Sequence, residues 1–472
     1  MPDTPPSLYA AREPIFPKRV SGTFRQLKWW IMIVTFGIYY LTPWIRWDRG
    51  PNLPDQAVLI DLAGRRFYFF WIEIWPHEFY FVAGLLIMAA LGLFLFTSAL
   101  GRVWCGYTCP QTVWTDLFIL VERWIEGDRN ARVKLHHAQM TARKLWLRCV
   151  KYIVWALIGL ATGGAWVFYF ADAPTLMVQL LRFEAAPVAY ATIAVLTATT
   201  FIFGGFMREQ VCIYMCPWPR IQAAMMDDDT LTVAYRDWRG EPRGKARDAT
   251  AGDCVDCMAC VNVCPMGIDI REGQQMECIT CALCIDACDE VMDKLGRERG
   301  LIDYLALSDQ PREMEGAPPK AIWRHIVRPR TILYTALWAA MGFALVYALF
   351  IRAEIEASVA PVRNPTFITM SDGAIRNSYE IRLRNKHPKE WFFHITIDGD
   401  LAARLELEGS SYATVSVAPD ATLKLRAYVT ASKNSAFAMD HTSDLRFWIE
   451  DLGNGERVHV DTTFNGKGAA HD

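Results

Sequence analysis

The sequence predicts an α-helical integral membrane protein of five transmembrane helices. A compact cysteine-rich insert lies between the fourth and fifth, and the C-terminal domain is all-β and immunoglobulin-like. Three observations predict this. Five apolar runs edged by Trp, Tyr and Phe approach or reach bilayer length. Eight of the 13 cysteines fall between Cys254 and Cys288. Residues 352–472 alternate apolar and polar side chains in short segments, the period of half-buried strands. With 472 residues and a formal net charge of −2, the chain is long enough for several domains and carries no global basic field for nucleic acid.

Residues 1–28 are polar, Pro-rich and basic, with Arg12, Lys18, Arg19 and Arg25, and read as a tail of little structure. The first span is 29–45, flanked by Trp29, Trp30, Tyr39, Tyr40 and Trp44. It sits too far along the chain, and is too aromatic, for a cleaved leader. A loop with Asp48, Asp55 and Asp61 leads to the second span, 79–100. Residues 101–144 read as a polar basic loop, 145–170 as the third span and 187–206 as the fourth. The insert occupies 207–330 and the fifth span 331–351. The tail has breaks at Asp398-Gly399, Pro419-Asp420 and Gly453-Asn454-Gly455 between its alternating segments, the punctuation of a β-sandwich.

Orientation follows from Lys and Arg. The N-terminal tail, the 101–144 loop and the insert are rich in them, whereas 48–78 and 171–186 are poor, so the former are expected on the cytoplasmic side. Every cysteine lies between positions 105 and 288 and none in the C-terminal domain. That distribution agrees with reducing cytoplasm on one side and an exported, periplasmic domain on the other.

The insert reads Cys254-x2-Cys257-x2-Cys260-x3-Cys264-Pro265, then Cys278-x2-Cys281-x2-Cys284-x3-Cys288-Asp289. This is a bacterial-type ferredoxin run written twice, and it predicts two [4Fe–4S] clusters, since zinc or packing thiols rarely take eight cysteines at this spacing. In such runs the fourth Cys serves the other cluster. One cluster is therefore assigned to Cys254, Cys257, Cys260 and Cys288, the other to Cys278, Cys281, Cys284 and Cys264. Asp289 stands where Pro is usual, which alters loop rigidity and not the ligand count.

A second repeat lies at the ends of two spans: Arg102-Val-Trp-Cys105-Gly-Tyr107-Thr-Cys109-Pro110, and Arg208-Glu-Gln-Val-Cys212-Ile-Tyr214-Met-Cys216-Pro217. Proline after the second Cys of each pair suits a helix start there. That places Cys109 and Cys216 near helix N-termini, where thiolate is favoured. Four such thiolates suit Cu(I); a third Fe–S cluster is the alternative, and inert packing cysteines the bland one. Cys149, alone in the third span, reads as core. No His lies well inside a span, which disfavours a bis-His haem. His136-His137 read as solvated, Asp227-Asp228-Asp229 as a hydrated linker, and the charged residues as flanking the spans without entering them. No phosphate-binding glycine loop is present.

At these motifs, and at Gly267-Ile-Asp-Ile-Arg271-Glu-Gly273 and Glu277-Cys278-Ile-Thr-Cys281, the chain resembles the FixG/RdxA/CcoG-type cytochrome c oxidase accessory proteins, a membrane polyferredoxin family, over nearly its whole length. The resemblance implies reduction of Cu(II) to Cu(I) in the cytoplasm for assembly of a cbb-type oxidase, with Cys105, Cys109, Cys212 and Cys216 as the catalytic, copper-binding set. It also implies a copper-exporting P-type ATPase as partner and a bacterial inner-membrane location. The electron donor is an unidentified cytoplasmic one. Two other readings stay open: an electron conduit from quinol, as in NapH-type membrane ferredoxins, and a non-enzymatic assembly factor.

Overall fold

The computed structural model describes residues 14–49, 53–246, 250–351, 356–385, 390–398, 403–410, 412–419 and 421–468. Arg12, His387, Gly399, Asp420 and His471 lie outside them. The chain divides into two compact units, one running to Arg46 and from Gln56 to Val346, the other comprising Trp47–Asp55 and the chain from Tyr347 onward.

The first unit opens with helix α1 (Thr23–Leu41), then α2 (Tyr80–Leu100), α3 (Val103–Tyr107), α4 (Pro110–Glu126), α5 (Arg129–His137), α6 (Ala142–Val167), α7 (Ala173–Arg182) and α8 (Pro187–Thr200). Four helical stretches among the described residues are long and apolar enough to cross a membrane: Tyr80–Leu100, Ala142–Val167, Pro187–Met215 and Pro329–Phe350. The helix α1 is not one of them, and it begins at Thr23 where the sequence suggested Trp29. Its first turns carry Arg25 and Lys28, both buried, because Asp116 of α4 accepts from Arg25 at 2.9 Å. The N-terminus of α1 is capped from the insert: Asp286 accepts from the backbone N–H groups of Phe24 at 3.2 Å and Arg25 at 2.7 Å.

Residues 14–22 are likewise not a loose tail. Lys18 donates its backbone N–H to Asn262 O at 2.7 Å, and Val20 is buried.

The polar stretch 101–144 is helical rather than a loop. Its charges had hidden an amphipathic helix, α4, whose apolar face buries Val113, Trp114, Phe118 and Val121 against Met32 of α1 and Trp155 of α6. Nor do the charges merely flank the spans. Lys151 lies inside α6 and pairs with Glu126 at 2.7 Å. Helices α6 and α8 meet through glycine: a Cβ on Gly159 would stand 2.9 Å from Thr197 O, and one on Gly163 2.8 Å from Ile193 O. Small residues four apart let apolar helix backbones approach this closely.

Two further segments depart from expectation. The loop before α2 folds into an antiparallel sheet of β1 (Val58–Asp61), β2 (Arg66–Phe69) and β3 (Ile72–Ile74). The Asp227-Asp228-Asp229 run is not a hydrated linker. Asp227 pairs with Arg328 and, at 3.0 Å, with Arg330, and Asp229 accepts from Ser308. These contacts fix the base of the last apolar helix, Pro329–Phe350. The insert is closed by β4 (Thr232–Tyr235) pairing antiparallel with β5 (Ile302–Leu305).

The second unit is a β-sandwich, as the alternation predicts. Its strands are β6 (Glu356–Pro361), β7 (Ile368–Thr369), β8 (Ile375–Arg384), β9 (Trp391–Ile397), β10 (Ala403–Leu407), β11 (Thr414–Val417), β12 (Thr422–Ala431), β13 (Thr442–Asp451) and β14 (Arg457–Asn465). One sheet is ordered β10-β12-β8-β6 with β7 on β8, the other β11-β9-β13-β14. Their inner faces bury Tyr379, Ile381, Leu383, Phe393, Ile395, Phe447 and Ile449 in one core.

Candidate redox site

The eight insert cysteines form two quartets. In each run the residues flanking the second cysteine are left-handed: Asp256 (φ 51°) and Met258 (58°) around Cys257, Thr280 (53°) and Ala282 (56°) around Cys281. Two such residues curl a Cys-x2-Cys-x2-Cys loop so that its N–H groups turn inward, a concavity for a negative group. The Thr280 N–H donates to Cys278 Sγ at 3.4 Å. Short helices then start, Ala259–Val263 carrying Cys260 and Leu283–Leu295 carrying Cys284 and Cys288.

The last cysteine of each run crosses over. Cys288 lies within electrostatic reach of Cys254, Cys257 and Cys260, and these four line one cavity with Tyr235 and Met292. Cys264 lies beside Cys278 and Cys281, and lines a second cavity with them and with Cys284. Burial pushes Cys264 and Cys288 up to about 12, and Cys260 and Cys278 up to about 11, with neighbouring thiols adding repulsion in each case. Sulfurs held this way ionise only against positive charge, which iron supplies. Within the first quartet Cys257 is exposed. Asp289 takes over a tethering role that proline does not have: its carboxylate accepts from Gly300 N–H at 3.0 Å.

The Cys-x3-Cys-Pro pairs stand just after α2 and at the end of the helical stretch Pro187–Met215. Cys105 is on α3, and Cys109 is the N-cap residue of α4, whose Thr112 and Val113 N–H groups donate to Cys109 O at 3.0 Å. Cys212 lies on a π-helical turn, Val211–Met215, closed by Cys216 N–H to Val211 O at 2.8 Å. The two pairs come together: Cys105 has Cys109 and Cys216 as electrostatic neighbours, and Cys212 has Cys109, Cys105, Cys216 and Glu209.

Thiolate is not favoured throughout, however. Burial and the neighbouring Cys109 push Cys105 up to about 12, although Arg102 lies close; its Sγ donates to Gln222 Oε1 at 3.1 Å. Cys105 is not one of the two residues that precede the prolines, and there desolvation prevails. For the second pair the next helix starts at Trp218, with Pro217 as its cap, so Cys216 stands one position outside it.

The thiol site abuts the second quartet. A Cβ on Gly106 would lie 2.6 Å from Ile279 O and 3.0 Å from Cys281 Cα, so only glycine allows α3 to rest on the Cys278–Cys281 loop. Tyr107 Oη donates to Cys281 O at 3.1 Å. Buried Arg102 donates to the carbonyls of Met276, Cys278 and Pro219. Cys105 and Cys212 pack against the same apolar cluster as Cys281, Cys264 and Cys284. Sequence reasoning left Gly106, Tyr107 and Gln222 unassigned, although an Arg ahead of each Cys-x3-Cys-Pro pair was visible. Cys149 is exposed on α6 rather than in the core, and His136 and His137 are exposed.

Among the described residues, no three His, Cys, Asp or Glu side chains converge as they would on a single metal ion. A cubane makes no such demand, because each of its thiolates binds a different iron.

Three family models match the chain: a 4Fe-4S dicluster domain at residues 207–307, a 4Fe-4S binding domain at 82–128, and the IG-like fold at the C-terminus of FixG at 345–467. Protein RdxB of Cereibacter sphaeroides is 65% identical over 473 residues, covering 99% of each chain. Protein RdxA of the same organism is 65% identical over 449 residues, covering 95% of this chain and 96% of its own. The nitrogen fixation protein FixG of Rhizobium meliloti is 54% identical over 497 residues, covering 98% of this chain and 94% of its own. With two cysteine quartets beside a four-thiol site and identity of this extent along the full length, the chain belongs to the FixG/RdxA family of iron–sulfur redox proteins.

Proposed function

We propose that the chain is a membrane-bound cupric reductase that delivers single electrons to Cu(II) at the cytoplasmic face, where the Cu(I) produced serves assembly of a cbb-type oxidase. The observation that carries this is the approach of Cys105, Cys109, Cys212 and Cys216 from two separate helix ends, within electrostatic reach of one another but not drawn together around a single ion, directly against the Cys278–Cys281 loop. In this reading Cys254, Cys257, Cys260 and Cys288 hold one [4Fe–4S] cluster, and Cys264, Cys278, Cys281 and Cys284 the other. When bound, the clusters supply one-electron storage at low potential. The reaction is Cu(II) plus one electron, drawn from a cytoplasmic donor, giving Cu(I).

The four thiols do the rest. Soft sulfur donors stabilise Cu(I) over Cu(II), so the site favours the reduced product. Cupric ion would displace the Cys105 thiol proton to solvent, ending the hydrogen bond the thiol donates to Gln222 Oε1. The Lys and Arg distribution and the absence of cysteine after Cys288 support an inside location for this site and an outside one for the sandwich. In this reading a copper-exporting P-type ATPase, which the sequence resemblance implies, receives the Cu(I), and α1, with its flanking Trp and Tyr residues, is a fifth span.

Cys109→Ser with Cys216→Ser tests this. Copper-dependent reoxidation of the reduced protein should be lost while iron content stays at the wild-type value; unchanged reoxidation would remove the thiols from the reaction. One observation favours a second reading, a third [4Fe–4S] cluster in these four thiols: the 4Fe-4S binding model matches 82–128, a stretch whose cysteines are Cys105 and Cys109 alone. Under that reading the same double variant loses iron in proportion.

A further inference from the structure

Arg102 is a buried guanidinium, 3% exposed, with no carboxylate at salt-bridge distance among the described residues. Its hydrogen bonds go to neutral carbonyls: Met276 and Cys278 from one terminal nitrogen, Pro219 from the other. Its Nε has no partner. A buried cation left uncompensated is strongly destabilising. Something anionic is therefore expected beside it. The groups whose charge it feels are Cys105, Cys278 and Glu277.

The first quartet offers a contrast. The cation near it is Arg271, which feels the Cys260 thiol but is already neutralised by Asp269 at 2.6 Å and Asp256 at 2.5 Å. The two quartets thus have different fields. One faces a guanidinium offset by two carboxylates, the other a guanidinium with none in contact.

We propose that Arg102 is the counter-ion of the cluster at Cys264, Cys278, Cys281 and Cys284, and that its charge makes this cluster the higher in potential of the two. This rests on the cluster ligation proposed above, but not on copper as the acceptor. Adding an electron to a cluster held by four thiolates increases its negative charge, and a cation at hydrogen-bond distance from a ligand residue, 3.4 Å from Cys278 O, stabilises the reduced form. An electron arriving at the first quartet, on the side of exposed Cys257, then runs downhill to the second, which touches the thiol site through Gly106. Arg102 acts through the cluster and is a positioning residue. Its three carbonyls also clamp the first thiol helix to the cluster loop and to the segment after Cys216.

The test is a redox titration of the full chain in detergent, followed by the paramagnetic signals of the reduced clusters. In wild type two potentials are expected. In Arg102→Gln the higher should fall toward the lower, which itself stays fixed. In Arg102→Lys, which keeps the charge but not the fork, both should remain close to wild type. Glu277→Gln, removing a nearby negative charge, should move the higher potential upward. Unmoved potentials in Arg102→Gln with full iron content would overturn the proposal. So would an equal fall in Arg102→Lys. If Arg102→Gln loses iron, Arg102→Lys and Glu277→Gln decide on their own. Failure of the ligation reading looks different: wild-type iron would be inconsistent with two cubanes, and no pair of cluster signals would appear.

Discussion

Gly101 and Arg208 occupy equivalent places in the repeat: each precedes the first cysteine of its pair by four residues, and each turns the backbone to positive φ, 63° and 29°. At Gly101 the turn ends α2 and α3 follows, whereas at Arg208 it falls inside the continuous helical stretch Pro187–Met215. Gly101 takes this conformation without a Cβ penalty. Arg208 does not, and is held by its side chain, which donates to Gly205 O at 2.9 Å, pairs with Glu122 and lies 5.5 Å from the Trp155 ring. Burial alone would raise the Glu122 carboxyl; the guanidinium groups of Arg208 and Arg132 hold it below the usual carboxylate range instead.

Substituting Arg208 therefore has two opposing effects. Arg208→Ala keeps the strain and removes a partner of a buried carboxylate, a loss of about 3 kcal/mol. Arg208→Gly loses the same pair but relieves about 1 kcal/mol of left-handed strain. The glycine variant should be the more stable of the two by denaturant unfolding in detergent. Equal stabilities would mean that the turn is unstrained.

Exposure separates the two quartets. Cys257 is exposed, whereas no cysteine of the second quartet is: Cys281 is buried, and Cys264, Cys278 and Cys284 are half-buried. Under mild oxidation the first cluster should be lost before the second, leaving about half of the iron bound in a plateau on the way to apoprotein. Mass spectrometry after thiol alkylation should then find Cys254, Cys257, Cys260 and Cys288 labelled first. Synchronous loss would show that solvent reaches both equally.

The ferredoxin run was legible because cluster ligation is local: three ligands of each cubane sit within seven residues, and spacing alone reveals them. The sandwich was legible for a similar reason, since Phe393, Ile395 and Phe447, Ile449 alternate inward along single strands. What was hidden depends on partners distant in sequence. Asp227 looks hydrated until Arg328 and Arg330 arrive a hundred residues later. In α4, Asp116 and Glu122 disguised an apolar stripe, because the cations that make their burial tolerable come from α1, α5 and Arg208. The contact between Gly106 and Cys281 was invisible for the same reason, although both residues lie in motifs that had been singled out.

In the sandwich, fully buried Tyr379 of β8 donates its hydroxyl to Thr463 O of β14 at 2.9 Å, a hydrogen bond between the two sheets. Tyr379→Phe keeps the ring and removes this hydrogen bond, so this unit should lose about 1 kcal/mol. Unfolding followed by proteolysis of residues 356–468 should report the loss, with both cluster signals unaffected.

Acid should loosen the base of the last apolar helix first. The Asp309 side chain is 2% exposed and accepts from His325 Nε2 at 2.7 Å and Lys320 N–H at 3.0 Å. Burial by itself would raise its pKa, but these bonds and the His325 and Lys320 charges hold it below the usual carboxylate value. A depressed folded pKa stabilises the fold at any pH above the unfolded value, about 3.9. That contribution disappears as pH falls through the folded pKa, because the unfolded chain binds the proton more readily. Apparent melting temperature should therefore drop steeply below about pH 4 in wild type. In Asp309→Asn it should start lower at neutral pH and show a shallower acid limb. Proteolysis near residues 309–328 should mark where opening begins. If Asp309→Asn retains the wild-type acid slope, the carboxylates at Asp227 and Asp229, which face Arg328, Arg330 and His325 from the preceding loop, carry the effect instead.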